Sequence, residues 1–459
     1  MKTENKFFEA IESVAFNKEH KTLLQQKLNT CVNHTTVAKS FYSDLELART
    51  RASFLKSKSL DNLDKYLIEF ESNFIKKGGK VIWAQDNDEA IKELTKLIEK
   101  KSAKVVAKNR ALISEELDLV NQLKVNSINC VESDVGNYIQ NLAGELSYHP
   151  VFPTLNQSQK NIAEILKSDL ISDNSIHARD IAASICIKIK QQLKEAQISL
   201  LGVNFLVADA GAAVIIENEA NSAQLASLTK TQVFLAGIED IIPSLNELDL
   251  FIHLYGTYSI GSAAYPYTHI VSGQKQNDET FGPEDVYVIL IDNGRSDVLA
   301  QTNQRSALSC IRCGACHNVC PVYRTIGGHA YQSVYNGPIG SVLTPLMKGR
   351  DEYKFLSYAT VSSQELLAAC PVKIDCAKLL QHNRTESIKL APPGKTEKLS
   401  VFFWKTAMLK RSNMDKGGAK LKNFMMRQFF KKSWGERREM PQVAPKSFNQ
   451  LWRERKGIK

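Results

Sequence analysis

One twelve-residue stretch constrains this chain more than any other: Cys310-Ile-Arg-Cys313-Gly-Ala-Cys316-His-Asn-Val-Cys320-Pro321. Its four cysteines fall at the spacing C-x2-C-x2-C-x3-C, and a proline follows the last. Bacterial ferredoxins hold a four-iron, four-sulfur cluster with this run, because iron in such clusters takes soft thiolate ligands. Cysteines three residues apart let one loop wrap three corners of a cube. Gly314 permits the tight bend between ligands, and Pro321 ends the local turn. Zinc sites pair C-x2-C units across a gap of about a dozen residues or more, so the spacing fits zinc poorly. An iron–sulfur cluster is expected.

The remaining cysteines agree with a reducing compartment. The total is nine, an odd number with four in one run, which argues against a disulfide framework. Cys31, Cys130 and Cys186 stand alone in apolar or helical contexts and read as buried structural thiols. No run of eighteen apolar residues predicts a transmembrane helix. The opening Met1-Lys-Thr-Glu-Asn-Lys-Phe-Phe-Glu lacks an apolar signal core, so the cytoplasm is the expected location. The 459 residues allow two to four domains. The net charge of +10 is a property of one end: residues 392–459 carry eighteen Lys/Arg against five Asp/Glu, leaving the rest slightly acidic.

Along the chain, residues 1–78 read as helices. Leu23, Leu24, Leu28 and Val32 recur at helical spacing, as do Leu63, Tyr66, Leu67 and Phe70. Arg49 and Arg51 between them suit a solvated or ion-paired face, and Gly78-Gly79 ends the segment. Strands are expected at Lys80–Ala84, Lys104–Ala107 and Ser127–Val131, with helices at 87–101 and from Ser114, a candidate N-cap with Glu115 and Glu116 in the first turn. After a long helix at about 177–197, strands are expected at Val203–Ala208, Ala212–Ile216 and Thr231–Ala236, with Val286–Ile291 as a buried closing strand. The alternation predicts an α/β fold with a doubly wound parallel sheet.

Asn218, Glu219 and Asn221 follow a strand end, where sheets of this class bind ligands. They form a candidate pocket, although Asn and Asp are also ordinary turn residues. His317 and His329, close to the cysteine run, suit structural or hydrogen-bonding roles better than ligation. There is no G-x-G-x-x-G and no P-loop, hence no sequence case for NAD, FAD or ATP. The tail from Pro392-Pro393-Gly394 interleaves Phe402, Phe403, Trp404, Phe424, Met425, Met426, Phe429 and Phe430 with basic residues. Two readings stand: helices packing an apolar face inward, or a surface for a membrane or a partner. No RNP, KH or zinc-finger signature supports nucleic acid.

Several blocks carry a family resemblance. They are Gly79-Lys-Val-Ile-Trp-Ala84, Asn218-Glu-Ala-Asn221, Gly282-Pro283-Glu284, Asp292-Asn-Gly-Arg295, the cysteine run through Tyr323-Arg324, and Ile326-Gly-Gly-His-Ala-Tyr331. Gly337-Pro-Ile-Gly340, Leu343-Thr-Pro345, Cys370-Pro-Val-Lys-Ile374 and Ser447-Phe-x-x-Leu-Trp452 continue the series. Together they resemble the lactate utilization protein B family over nearly the whole chain. The resemblance implies four regions. Residues 1–78 are N-terminal helices, and 79–296 are a lactate-utilization α/β domain similar to sugar-phosphate isomerases and CoA transferases. Residues 297–391 are an α-helical ferredoxin-like segment, and 392–459 are a basic helical C-terminal domain.

The resemblance further implies an electron-transfer component of a three-protein, L-lactate-oxidising dehydrogenase system, with its other subunits as partners. It is expected in the cytoplasm, with contact at the inner membrane face an option for the tail. The alternatives are a non-catalytic scaffold with a structural cluster, or an electron-transfer subunit for another 2-hydroxy acid. Carried over residue by residue, the first cluster takes Cys310, Cys313, Cys316 and the remote Cys370. The second would take Cys320 with positions 363 and 366, which here are Ser363 and Leu366. Leucine cannot ligate iron and serine is a poor substitute for a thiolate, so one 4Fe-4S cluster is expected and Cys320 is a residual ligand position. Local spacing leaves open whether Cys320 or Cys370 completes the first cluster. Cys376 has no counterpart in the family pattern.

Overall fold

Helices open the chain where the apolar spacing expects them: α1 (Lys2–Ala15), α2 (Lys18–Lys39), α3 (Leu45–Asp61) and α4 (Leu63–Lys76). The computed structural model describes residues 2–166, 177–280, 282–390, 394–410, 418–434 and 439–457. Met1, Pro392 and Pro393 lie outside the described residues. Asn17 and Asp44 cap α2 and α3, each side chain accepting a first-turn backbone N–H. Leu24, Leu28, Leu63, Tyr66, Leu67 and Phe70 are buried.

The strands among the described residues are β1 (Lys80–Ala84), β2 (Val105–Lys108), β3 (Asn129–Glu132), β4 (Ile198–Gly202), β5 (Phe205–Val207), β6 (Ala212–Glu217), β7 (Thr231–Gly237), β8 (Ile241–Ile242), β9 (Tyr267–Val271) and β10 (Asp285–Ile291). Six form one parallel sheet in the order β1-β10-β7-β4-β2-β3. Parallel pairing needs crossovers, and helices such as Asn87–Lys100 supply them. Both faces are covered. On β10, Val286, Val288 and Leu290 join a core with α4 and the helix Ala178–Leu193. Tyr287, Ile289 and Ile291 join another with the helix Asn87–Lys100. Burial on both faces is why β7 and β10 read as near-continuous apolar runs.

Four expectations change. First, β4 was hidden: Ile198-Ser-Leu-Leu-Gly202 follows its helix directly, and a short apolar run cannot be told from helix by periodicity. Second, the strands expected at 203–208 and 212–216 leave the parallel sheet. β5 and β6 pair antiparallel in a second sheet of order β8-β5-β6-β9, joined by the turn Asp209-Ala-Gly211. Third, β10 does not close an edge but lies between β1 and β7. Fourth, the helix near Ser114 is only Leu112–Glu116, with Ala111 at its N-cap, so Ser114 lies inside it and Glu116 is its last residue.

The strand order reverses between β2 and β4. From β2 the chain goes to β3 on one side, then returns to β4 and β7 on the other. Asn109, just after β2, clasps the end of β4: Gly202 N–H donates to Asn109 Oδ1 at 2.8 Å, and Asn109 Nδ2 donates to Gly202 O at 3.1 Å. Glycine is required there, since a Cβ on residue 202 would stand 2.1 Å from Ala111 Cβ.

Residues 1–387 form one compact unit and 388–459 a second. Within the first, α1 to α3, the small sheet and the cysteine segment share a single core, from Phe7 through Phe251 and Tyr323 to Leu380. In the second, the helix Lys395–Leu409 exposes Phe402, Phe403 and Trp404, and Ser447 opens the helix Phe448–Lys456 with a capping box. Among the described residues no helix is long and apolar enough to cross a membrane.

Candidate iron–sulfur site

The cysteine run leaves a short 3-10 turn at Arg305–Ser309 and passes through a left-handed Arg312 (φ 58°) and Gly314 (φ 76°) before the helix Ala315–Val319. Gly314 is doubly constrained, because a Cβ there would also stand 2.6 Å from His149 Cε1. Cys310, Cys313 and Cys316 line one small apolar cavity with Ile311 and Ile339. The opposite wall comes from Cys370, Pro371, Val372, Ile374 and Cys376. The structure thus brings Cys370 to the three consecutive thiols. Cys320 does not line that cavity; it is fully buried, with Sγ 3.1 Å from Thr360 Oγ1.

The cavity suits a cluster on its own chemistry. Backbone N–H groups already point at two sulfurs, Arg312 N at 3.4 Å from Cys310 Sγ and Ile374 N at 3.3 Å from Cys370 Sγ. Burial pushes the Cys370 thiol up to about 11 and raises Cys313 and Cys316 as well, so thiolates here need a bound cation to compensate them. All nine cysteines are free. Among the described residues no three His, Cys, Asp or Glu side chains could hold a single metal ion. Five thiols lining one cavity, with the spacing of the first three, favour a cluster instead.

Laying the first run's spacing back from Cys370-Pro371 gives positions 360, 363 and 366. Thr360 is the residue beside Cys320. Ser363 caps the helix Gln364–Ala369 and Leu366 is buried in the core. His317 Nδ1 lies 3.4 Å from Cys316 Sγ and its Nε2 3.0 Å from Asn336 Oδ1, while burial lowers its pKa to about 4. His329 instead donates to Leu146 O at 2.7 Å. Cys31, Cys130 and Cys186 are half-buried, less enclosed than their apolar surroundings suggest.

Three groups surround the cysteine loop in roles that the sequence did not assign. Arg49, expected on an ion-paired face, does pair with Glu46 at 2.8 Å but is largely buried. Its guanidinium also donates to Cys370 O at 2.9 and 3.2 Å and to Leu367 O at 2.7 Å. Arg51 keeps the expected role, pairing with Glu247. The second group is His149, whose ring packs between Gly314, His317 and Tyr323. The third is a buried ion network. Arg295 binds Glu116 through two N–H···O bonds of 2.8 Å and Glu239 through Nε at 2.6 Å. Arg312 binds Glu239 and Asp240, Tyr335 and Asn293 donate to Glu116, and Lys56 donates to Glu239 O at 2.6 Å. Burial alone would raise the Glu116 carboxyl, but Arg295 outweighs it and holds it down to about 2.

A larger cavity of about 350 Å³ opens at the reversal between β2 and β4. Asn109 and Arg110 after β2 line it, as do Gly202 and Asn204 at the end of β4, and so do Asn218, Glu219 and Asn221. Asn218 and Glu219 lie in a bend, Ala220 is left-handed, and Asn221 opens the helix Asn221–Leu228, its Nδ2 donating to Glu219 Oε2 at 3.1 Å. Tyr255, Tyr265 and Lys56 add hydroxyls and a buried amine, and Cys310, Ile311 and Arg312 complete the wall. Cys310 and Ile311 therefore face both cavities.

Two family models match the chain. The LUD domain family matches residues 67–291 and the 4Fe-4S dicluster domain family residues 306–378. A lactate utilization protein B of Bacillus cereus is 34% identical over 416 residues, covering 88% of this chain and 87% of its own. The protein of that name from Bacillus cytotoxicus is 33% identical over 414 residues, with coverage of 88% and 87%. Among solved structures, a DUF162 family protein from Deinococcus radiodurans aligns with 50% of this chain and 98% of its own at 12% identity, with a TM-score of 0.29.

Two outcomes follow from the geometry. Arg295→Met leaves Glu116 buried without its cation and should cost roughly 3–5 kcal/mol, read as a lowered guanidinium unfolding midpoint; adding Glu116→Gln should recover part of it. After anaerobic reconstitution, Cys313→Ala should strip iron from the protein while Cys320→Ala leaves iron content near that of the unmodified chain. Equal iron loss from both would place Cys320 in the cage.

Proposed function

This chain belongs to the lactate utilization protein B family, and on that premise we propose that it carries electrons as the iron–sulfur subunit of a multi-protein system oxidising L-lactate to pyruvate. The observation that supports the reading best is the shared wall: Cys310 and Ile311 line both the thiol cavity and the polar cavity at the strand reversal. Sheets of this class bind ligands at such reversals. A small molecule there lies one residue's thickness from a cluster ligand.

When bound, a four-iron cluster supplies one-electron transfer. Removing two electrons and two protons from lactate therefore calls for further acceptors, which is the chemical reason for partner subunits. We assign one cluster to the chain, because Thr360, Ser363 and Leu366 occupy the positions where a second would need thiolates. The chain's own residues then have distinct tasks. Arg49 fixes the Cys370 backbone, and Arg312, tied to Asp240 and Glu239, fixes the loop between Cys310 and Cys313. In the polar cavity Arg110 donates through Nη1 to Val151 O and has Nε 3.9 Å from Asp134 Oδ2, which leaves its Nε–Nη2 edge for a guest. A carboxylate takes such an edge in a bidentate way, with Asn218 and Asn221, whose Nδ2 is engaged by Glu219, on the same cavity wall.

The test is anaerobic purification with any co-purifying subunits, followed by addition of L-lactate. The cluster absorbance should bleach with lactate and recover with an acceptor. A cluster that stays oxidised with all partners present would return the chain to a scaffold role, and bleaching by a different 2-hydroxy acid alone would change the substrate. Arg110→Gln should weaken pyruvate binding, measured calorimetrically, by roughly 10-fold or more, the worth of a charged hydrogen bond. Undiminished binding would remove Arg110 from the site.

The tail is read as an association surface for a partner subunit. Its positive charge is concentrated in residues 392–459, and Phe402, Phe403 and Trp404 are exposed within it. Deleting residues 396–459 should reduce co-purification of partners and leave iron content intact. Loss of binding to anionic vesicles, with partner capture unchanged, would reassign the tail to a membrane.

A further inference from the structure

The thiol cavity holds more sulfur than one cube can use. Three corners belong to Cys310, Cys313 and Cys316, which arrive on one loop. One corner remains, and two thiols of a single segment face it, Cys370 and Cys376. We propose that Cys376 is a fifth thiol of the cage, able to take the corner otherwise held by Cys370. The proposal rests on the reading of this cavity as a four-iron site.

The local backbone explains why two cysteines six residues apart reach the same wall. After Cys370 the chain turns on itself. Lys373 N donates to Cys370 O at 3.2 Å, and Lys373 is left-handed with φ 55°. Ile374 N then points back to Cys370 Sγ, and Cys376 N bonds Ile374 O at 3.1 Å. Cys376 opens the helix Cys376–Leu390, which is anchored by buried Leu379 and Leu380. Pro371, Val372 and Ile374 fill the wall between the two sulfurs.

A buried cysteine is often only a small apolar side chain. Cys320 is such a case in this same segment: it is as buried as Cys376 but lies beside Thr360, away from the cage. Cys376 differs because it lines the cavity with the other four thiols. Arg49 holds the Cys370 carbonyl, so the turn stays in place whichever sulfur is bound.

The exchange balances without any redox partner. The bond between iron and Cys370 Sγ breaks, the bond to Cys376 Sγ forms, and the thiol proton of Cys376 passes to the freed Cys370 sulfur. Four thiolates bind before and after, and no electron moves.

The experiment uses the full chain, reconstituted anaerobically, with iron and acid-labile sulfide counted per chain and the paramagnetic spectrum recorded after reduction. Four proteins are compared with the unmodified chain: Cys370→Ala, Cys376→Ala, the double variant, and Cys313→Ala as the loss standard. Each single variant should keep about four irons, and Cys370→Ala should show a shifted spectrum from its new ligand. The double variant should fall to the Cys313→Ala level. The proposal is overturned if Cys370→Ala alone falls to that level while Cys376→Ala keeps both the iron and the spectrum of the unmodified chain. It also fails if the double variant keeps its four irons. Circular dichroism of the metal-free proteins separates ligand loss from misfolding, and Cys370→Ser replaces Cys370→Ala should the latter not fold. An unmodified chain that binds no iron would overturn the cage reading itself, an outcome distinct from all of these.

Discussion

Everything at the cysteine loop depends on a buried network of guanidinium and carboxylate groups. Taking charges out of water costs several kcal/mol per ion, and only close geometry with every donor used offsets it. Here most donors are used: Arg295 forks onto Glu116 and Arg312 closes the far side on Glu239 and Asp240, while Arg295 Nε lies 2.6 Å from Glu239 Oε2 as an ion-pair contact without hydrogen-bond geometry. Each carboxylate comes from the α/β sheet region, and Arg312 comes from between two cage cysteines. Gly237 belongs to the same arrangement, since a Cβ there would stand 2.2 Å from Glu239 Oε2. The network carries position from a rigid sheet to a loop that, on its own spacing, has only glycine and sulfur to define it.

Much of this was legible in the chain, and what was not has a physical cause. The cysteine run specified its chemistry because a cube sets the distances between its ligands, and spacing in sequence reports those distances. The strands β7 and β10 were legible because both their faces are buried. β4 was not, because five apolar residues following a helix carry no period of their own. Arg49 could not be assigned from sequence, as its partner carbonyl lies 321 residues away. Arg295 stood in a recognisable block, but nothing local indicates that its partner is Glu116, 179 residues earlier. Asn218, Glu219 and Asn221 were ambiguous between turn and pocket; in the structure the first two lie in a bend, the third opens a helix, and all three line a cavity.

Positions 360, 363 and 366 carry ordinary structural roles in this segment. Ser363 caps a helix, Leu366 fills the core, and Thr360 stands against Cys320. Hydrophobic burial and capping thus help to define this segment.

The wall made by Cys310 and Ile311 has a consequence in both directions. On the proposed function, a charged guest in the polar cavity would change the electrostatic potential at the cluster beyond the wall, and with it the ease of reducing that cluster. Thermodynamic linkage makes the effect reciprocal: the electron must alter the guest's affinity by the same factor that the guest alters the electron's. On that reading, a partition of two residues would let occupancy and oxidation state inform each other, with no moving part between them.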